Sequence, residues 1–169
     1  MRVFVDGVGL RGPGLNGWQA SCAILAYSEA YTPAPPVLPS SELLPPAERR
    51  RTVPTVRLAL AVGSEAIMHA KRDPAVTASV FSSSCGDGET IHQIFEVLAS
   101  PEREVSPTRF HNSVHNAPAG YWSIATQSRE PSTSLCCHDA SFSAGLLEAA
   151  VQAHLTRETC LVPPVVGAI

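Results

Sequence analysis

The chain has 169 residues, of which 44% are hydrophobic and 16% charged, and this composition indicates one globular domain, residues 1–169, with a hydrophobic core. Its net charge is −3 and its twelve basic residues form no basic stripe, so a nucleic-acid partner is not expected. No apolar run reaches the roughly 18 residues that a membrane-spanning helix needs, and the first residues resemble a strand rather than a signal peptide. We therefore expect a cytoplasmic protein.

The first part of the chain predicts a strand, a turn, a helix and an extended linker. Apolar residues favour a strand over Arg2–Val8, and a glycine-rich turn follows it. The formal GxGxxG match that begins at Gly7 leads into further loop residues instead of a helix, so a dinucleotide site is rejected. An alanine-rich helix is predicted over Gln19–Ala30. The segment Thr32–Pro46, with six of the fifteen prolines, is predicted to be a linker within the domain.

The second part of the chain alternates predicted helices and strands. Apolar periodicity predicts helices over Thr55–Ala70, Thr90–Leu98, Asn112–Thr126 and Ser141–His154. Short β-branched or apolar runs predict strands over Ala78–Phe81 and Thr133–Cys137. This alternation predicts an α/β fold with a mainly parallel sheet and helices on both faces.

The five cysteines lie at positions 22, 85, 136, 137 and 160. In a cytoplasmic protein we expect them to be reduced thiols. A disulfide between the adjacent residues Cys136 and Cys137 would be strained. The chain has no CxxC pair with spaced histidines, so neither a metal site nor a cofactor is expected.

A longer motif lies in Gly120–Gly145, GYWSIATQSREPSTSLCCHDASFSAG. Pro131-Ser132 begins eleven positions after the first glycine, and a short apolar strand and a helix of small residues follow. This arrangement resembles the nucleophile region of the β-ketoacyl synthases, the condensing enzymes of fatty-acid and polyketide synthesis. Asp139 stands where that family has its catalytic cysteine. A carboxylate cannot be acylated by a carrier-protein thioester and passed on as a thiol is.

Four further segments resemble the same family in the same order. They are Met1–Gly14, the opening strand and glycine turn; Arg57–His69, the first long helix; Ala75–Asp87, the next strand and its loop; and Ser106–Gly120, the approach to the nucleophile. The motifs SPTRFHNSVHNAPAGYWSIAT and HDASFSAGLLEA resemble those of short ketosynthase-like proteins from aryl-polyene and xanthomonadin-like pigment clusters. The chain departs from that subgroup at His138, where glycine is expected, and at Cys136-Cys137, where small residues are usual.

The resemblance implies one half of a thiolase-type fold and a non-condensing subunit of the chain-length-factor type. Such a subunit pairs with a full-length, active β-ketoacyl synthase and shapes the pocket for a polyene chain carried by acyl carrier protein. Without that partner, a homodimer is expected. Two alternatives stay open: an active β-ketoacyl synthase or acyltransferase that uses Cys137 with a histidine, and a stand-alone module that binds acyl carrier protein or a small molecule.

Asp139 and Cys137 are the candidate catalytic positions, but no residue is assigned as catalytic. Asp139 is predicted to cap the N-terminus of the following helix, where aspartate is a preferred residue. Cys137, two residues earlier in a strand, would face the same side and end about 6–7 Å short of the nucleophile position. Free cysteines are more often small buried residues than nucleophiles.

The region before the nucleophile position supplies the predicted partner interface. The resemblance transfers neither of the family's malonyl-handling histidines to His111 or His115, and hydrogen bonding within a polar loop is the simpler hypothesis for both. For the aromatic residues nearby, core packing and partner contact both remain open. The predicted interface residues are Phe110, His111, Asn112, His115, Asn116, Tyr121, Trp122, Thr133 and Leu135.

Overall fold

The computed structural model describes residues 2–165, so Met1 and residues 166–169 of the predicted domain lie outside the description. The helices are α1 (Trp18–Leu25), α2 (Pro46–Arg49), α3 (Pro54–Ala70), α4 (Gly88–Ala99), α5 (Pro107–Ser113), α6 (Ala117–Thr126) and α7 (Ser141–Thr156). The strands are β1 (Arg11–Gly12), β2 (Leu15–Asn16), β3 (Ala78–Ser83), β4 (Ser132–Leu135), β5 (Cys160–Leu161) and β6 (Pro164–Val165). Short 3-10 turns cover Pro74–Val76 and His138–Ala140. None of the helices within residues 2–165 is long and apolar enough to cross a membrane.

A parallel sheet forms the centre of the molecule. β3 pairs with β4 on one side and with β5 and then β6 on the other, and all of these pairings are parallel. The register places Ser79 beside Ser132 and Ser82 beside Leu135. β1 and β2 form a separate antiparallel hairpin. The predicted α/β fold with a mainly parallel sheet is therefore confirmed.

Helices α3 and α6 cover one face of the sheet. α3 turns Val56 and Leu60 inward at helical spacing, and each is at most 2% exposed. Gly63 continues this side of the helix and lets α6 approach closely, because a Cβ there would stand 3.0 Å from Cζ3 of Trp122. Phe81 of β3 packs into the same hydrophobic cluster. This face holds the main core of the described chain.

Helix α7 covers the opposite face with small residues. Ser141, Gly145 and Ala149 recur every four residues and are all buried. A Cβ on Gly145 would lie 2.7 Å from Oγ of Ser82 in β3. The absence of a side chain at that position thus sets how closely the helix approaches the sheet. Helices lie on both faces, as the sequence predicted.

The predicted helix Asn112–Thr126 is divided into two helices in the structure. The chain leaves the helical conformation over Val114–Asn116, between α5 and α6. Pro118 lies in the first turn of α6, where a proline has no intrahelical hydrogen bond to lose. The break therefore precedes the proline instead of coinciding with it.

The proline-rich linker Thr32–Pro46 has neither helix nor strand before Pro46, where α2 begins. It is nevertheless anchored to the domain near its end. Leu44 is 2% exposed within the hydrophobic cluster, and its carbonyl accepts a hydrogen bond from Nη2 of Arg49 at 3.3 Å. The linker thus connects α1 to the core that α3 builds.

The predicted strand Arg2–Val8 is wrong, since this segment forms no strand. The segment pairs with no strand of the described sheet, in which β3 lies between β4 on one side and β5 and β6 on the other. The segment lies against α3 instead, where a Cβ on Gly7 would collide with the Ala66 carbonyl oxygen. It borders an open groove of about 1580 Å³ together with α3 and α7. Phe4 remains 80% exposed.

Candidate functional site

The carboxyl ends of β3 and β4 bring the candidate residues together. The two strands are parallel neighbours that end at Ser83 and Leu135. The segments that follow them, Ser84–Asp87 and Cys136–Asp139, therefore leave the sheet at the same edge, where sites of α/β folds commonly lie. These segments contain Cys85, Cys136, Cys137, His138 and Asp139, so thiol, imidazole and carboxylate groups lie along this edge.

Asp139, at the nucleophile position, projects into solvent. Its side chain is 97% exposed, and its carboxylate lies 3.3 Å from Nδ1 of His138. α7 begins only at Ser141, and its N-cap, Ala140, supplies no side-chain cap. The Ser141 hydroxyl accepts a hydrogen bond from the Cys137 N–H at 2.9 Å and donates one to the His138 carbonyl at 2.6 Å. The prediction that Asp139 caps the helix is wrong, because the helix starts two residues later and a serine makes the local hydrogen bonds.

His138 has a left-handed backbone conformation with a φ of 51°. For a residue with a Cβ this conformation costs about 1–2 kcal/mol, and glycine is nearly free of that cost. The side chain is 90% exposed, so no packing contact offsets the strain. The turn therefore explains why a glycine is expected at this position.

Within residues 2–165, no hydrogen bond joins the Cys137 thiol to a histidine. Cys137 is exposed, and no hydrogen bond joins its Sγ to another group among residues 2–165. The ring of His115 lies beside Gly86 of the loop after β3, and its Nε2 contacts the Leu135 carbonyl oxygen at 3.1 Å. A cysteine nucleophile needs an adjacent base or a lowered pKa. The structure therefore does not assemble the Cys–His pair of the enzyme alternative, and no metal-binding group of three or more His, Cys, Asp or Glu side chains occurs in the described part of the chain.

Three of the predicted interface residues lie inside the chain. Asn112, Tyr121 and Trp122 are 2%, 1% and 2% exposed. The Asn112 amide donates to the carbonyls of Arg51 and Thr108, both at 2.9 Å, and burial raises the pKa of Tyr121. The expected partner contact of these three residues gives way to core packing, because Trp122 lies against Gly63 of α3 and both aromatic side chains belong to the hydrophobic cluster.

The other predicted residues around α5 and α6 are at the surface or next to it. Phe110 is 66% exposed, and His111 and Asn116 are exposed as well. The His111 ring meets the buried Tyr121 ring edge-on, with centroids 5.6 Å apart and an interplanar angle of 86°. His115 is half-buried through its contact with β4. His115, two residues after the end of α5, thus places the exposed residues Phe110 and His111 near β4.

Thr133 and Leu135 lie half-buried on β4, the edge strand of the described sheet. The N–H of Ser79 donates to the Pro131 carbonyl at 3.0 Å, so the backbone of Pro131 faces β3. Backbone groups alternate sides along a strand, so those of Thr133 and Leu135 face β3 as well. The N–H and C=O of Ser134 consequently face outward, and no described strand pairs with that side of β4.

Two carboxylates that fix the helices around the site were not predicted from the sequence. Asp87 caps α4 by accepting the Thr90 N–H at 2.8 Å, and its other oxygen accepts a hydrogen bond from the Thr55 hydroxyl of α3. The aspartate just before the predicted helix was the available signal. Glu65 accepts the Trp18 N–H at 2.6 Å and fixes the start of α1 to α3. No local pattern indicates that long-range bond.

The family profile described as beta-ketoacyl synthase, N-terminal domain, matches residues 18–163. None of the curated proteins matches the chain. The matched range contains the sheet edge with Asp139 and both helices α6 and α7. The resemblance inferred from the motifs is therefore confirmed.

Solved structures give the same result. A ketosynthase (ApeO) in complex with its chain length factor (ApeC) from Xenorhabdus doucetiae is similar at 27% identity over 88% of this chain and 60% of that one, with a TM-score of 0.70. A β-ketoacyl synthase from Burkholderia phymatum STM815 is similar at 16% identity over 91% of this chain and 44% of its own, with a TM-score of 0.71. The complex AntDE:AntF, a type II PKS acyl-carrier protein with its ketosynthase bound to the hexaketide, matches at 16% identity over 89% and 46%, with a TM-score of 0.68. The chain thus spans 44–60% of these relatives, and its fold is that part of a thiolase-type fold.

Proposed function

The chain belongs to the β-ketoacyl synthase family, whose thiolase-type fold it shares, and we propose that it is a non-condensing subunit of the chain-length-factor type. In this role it pairs with an active β-ketoacyl synthase and shapes the pocket for the growing acyl chain. Acyl carrier protein delivers that chain, and the product is a polyene of the aryl-polyene pigment class.

The exposed carboxylate at position 139 is the observation that carries this proposal. Condensation needs a nucleophile that accepts an acyl group from a thioester and holds it until the new carbon–carbon bond forms. A carboxylate that attacked a thioester would give a mixed anhydride. At 97% exposure Asp139 would leave such an anhydride open to hydrolysis. The position therefore suits a subunit that leaves the chemistry to a partner.

Unpartnered surface supports the pairing half of the proposal. The outward backbone groups of β4 have no partner strand in the described chain, and such an edge is a template for pairing with another chain. Phe110 of α5 and Val114, which follows α5, are 66% and 44% exposed. The next residue, His115, contacts the Leu135 carbonyl of β4, so this apolar surface lies near the strand edge. A stable interface of this kind commonly buries about 2,000 Å² or more around an apolar centre.

The named relatives indicate which partners to test. One similar structure holds a ketosynthase with its chain length factor, and another holds an acyl-carrier protein with its ketosynthase. We extend both kinds of partner to this chain: a full-length ketosynthase with an intact nucleophilic cysteine, and an acyl carrier protein. In the absence of the ketosynthase, the same β4 edge would pair with a second copy of this chain.

Reconstitution tests the proposal directly. The chain alone, a full-length ketosynthase alone and the two together are incubated with acyl- and malonyl-carrier protein, and β-ketoacyl products are measured by mass spectrometry. We expect no product from the chain alone and a change in amount or length of product when it joins the ketosynthase. Asp139→Asn is the matched control, and it should leave the paired activity unchanged.

A β-ketoacyl product from the purified chain alone would contradict the proposal. If Cys137→Ser abolished that product, the alternative of an active enzyme with Cys137 as nucleophile would replace it. If the chain bound acyl carrier protein but left the products of the ketosynthase unchanged, the alternative of a stand-alone binding module would be favoured instead.

A further inference from the structure

Two exposed cysteines lie in the neighbouring segments where β3 and β4 leave the sheet. Cys85 is in the loop that follows β3, Cys136 directly follows β4, and both are exposed. The Cys136 thiol donates a hydrogen bond to the Ser84 carbonyl oxygen at 3.1 Å. That oxygen is about 3 Å from the Cα of the next residue across a trans peptide, so the Cys136 Sγ lies within about 6 Å of the Cys85 Cα.

The backbone brings the two segments side by side at this edge. The register that pairs Ser82 with Leu135 sets Cys136 opposite Ser83, two residues before Cys85. The hydrogen bond from Cys136 to the Ser84 carbonyl then holds the start of the loop with Cys85 against the Cys136 side chain. We propose that Cys85 and Cys136 form a dithiol site that hydroperoxides oxidise to a reversible disulfide.

The reaction balances with hydrogen peroxide as the oxidant. One cysteine loses its thiol proton and its thiolate attacks a peroxide oxygen; the O–O bond breaks to give a sulfenic acid and hydroxide, which takes up the proton as water. The second cysteine loses its proton and its thiolate attacks the sulfenic sulfur; the S–S bond forms, the S–O bond breaks, and the released hydroxide takes up that proton as a second water. Two thiols and one peroxide give one disulfide and two waters, and a small thiol such as dithiothreitol reverses the modification.

The other cysteines are poorly placed to compete. Cys137 follows Cys136 in the chain, where a disulfide is strained, and successive side chains of an extended backbone point to opposite sides. Cys22 and Cys160 are half-buried. Burial, followed by the charge of Glu148, raises the pKa of Cys160 to about 11, so little of its reactive thiolate exists at neutral pH. Selectivity for one pair is therefore expected.

Peptide mapping tests the pair in the full chain. The purified protein is treated with hydrogen peroxide at low protein concentration, free thiols are alkylated, and a tryptic digest is analysed without reduction. Cleavage after Arg72 and Arg103 releases the peptide with Cys85, and cleavage after Arg129 and Arg157 releases the peptide with Cys136. We expect the two peptides joined, with the mass of two hydrogens missing, and separated again by dithiothreitol.

Single substitutions show which two cysteines form the disulfide. Cys85→Ser and Cys136→Ser should each abolish the joined peptide, whereas the matched control Cys137→Ser should retain it. A joined peptide that persists in Cys136→Ser would assign the link to Cys137 and overturn the proposal. Oxidation that yields only sulfinic acids, or only disulfides between two copies of the chain, would overturn it as well.

Discussion

The helices on the two faces of the sheet bury very different side chains. On one face, α3 and α6 enclose Leu60, Tyr121 and Trp122, all at most 2% exposed. On the other, α7 buries only small residues and leaves its large apolar side chains in solvent. These exposed residues are Phe142, Leu146, Leu147, Val151 and Leu155, at 53%, 46%, 61%, 39% and 75% exposure.

This difference shows which face of the sheet is covered within the described residues and which face leaves large apolar side chains exposed. Monomeric proteins rarely leave a contiguous apolar surface of several large side chains uncovered, and such surfaces mark association sites. The α3–α6 face satisfies its own packing within the described residues. The α7 face and the edge of β4 do not, which agrees with the proposal that this chain works as a subunit.

The largest expected effect separates two leucines on the two faces. Leu60→Ala should lower the free energy of unfolding by about 2–5 kcal/mol, because it opens a cavity in a packed core. The same substitution at Leu147, which is 61% exposed on α7, should change it by less than about 0.5 kcal/mol in the isolated chain. Urea denaturation of both variants measures the difference. Equal losses would break the comparison between the faces.

Substitutions at two glycines, one on α7 and one on α6, test the close contact between α7 and the sheet. Gly145→Val should destabilise the chain by about 1–3 kcal/mol, because the new side chain meets Ser82 at 2.7 Å from Oγ and 2.9 Å from Cβ. Gly120→Ala on α6 is the control, since a Cβ there meets nothing within 4 Å. The control should stabilise the chain by about 0.5–1 kcal/mol, and thermal melting checks the opposite signs.

A smaller effect is expected at the left-handed turn before α7. His138→Gly should stabilise the chain by about 0.5–1 kcal/mol, because the relief of about 1–2 kcal/mol of strain exceeds the added entropy of the unfolded chain. His138→Ala keeps the strain and serves as the control. Urea denaturation in which the glycine variant is no more stable than the alanine variant would contradict the strain argument.

The smallest effect is expected at Asp139. Asp139→Ala should change the free energy of unfolding by less than about 0.5 kcal/mol, because the carboxylate is exposed and caps no helix. Ser141→Ala removes two hydrogen bonds of the same turn and should destabilise the chain by about 1–3 kcal/mol. Chemical denaturation of the two variants compares them, and a loss at Asp139 as large as at Ser141 would restore the capping hypothesis.

Elements with a strong local pattern were predictable from the sequence. The predicted strand Ala78–Phe81 lies within β3, and the predicted helix Ser141–His154 coincides with α7 except for its last two residues. In both cases the local sequence pattern favours the same secondary structure that the tertiary packing requires. The motifs likewise led to the correct family.

Features decided by competition between distant segments were not predictable. Arg2–Val8 has strand-forming residues, yet it lies against α3 and forms no strand. Aspartate is a preferred capping residue, yet at Asp139 it caps nothing, and the Ser141 side chain makes the hydrogen bonds of the turn. The burial of Asn112 depends on the Arg51 carbonyl 61 residues away. Local patterns contain none of this information.

The most direct measurement of the central claim is light scattering of the chain co-expressed with a full-length ketosynthase. Ser134→Pro removes the outward N–H of β4 without removing a bond to β3, and Ser134→Ala changes the side chain alone. The account predicts a one-to-one complex for the wild-type chain and Ser134→Ala, and its loss in Ser134→Pro with an unchanged melting temperature of the isolated chain. A stable, well-folded wild-type monomer at micromolar concentration, with no ketosynthase bound, would contradict it.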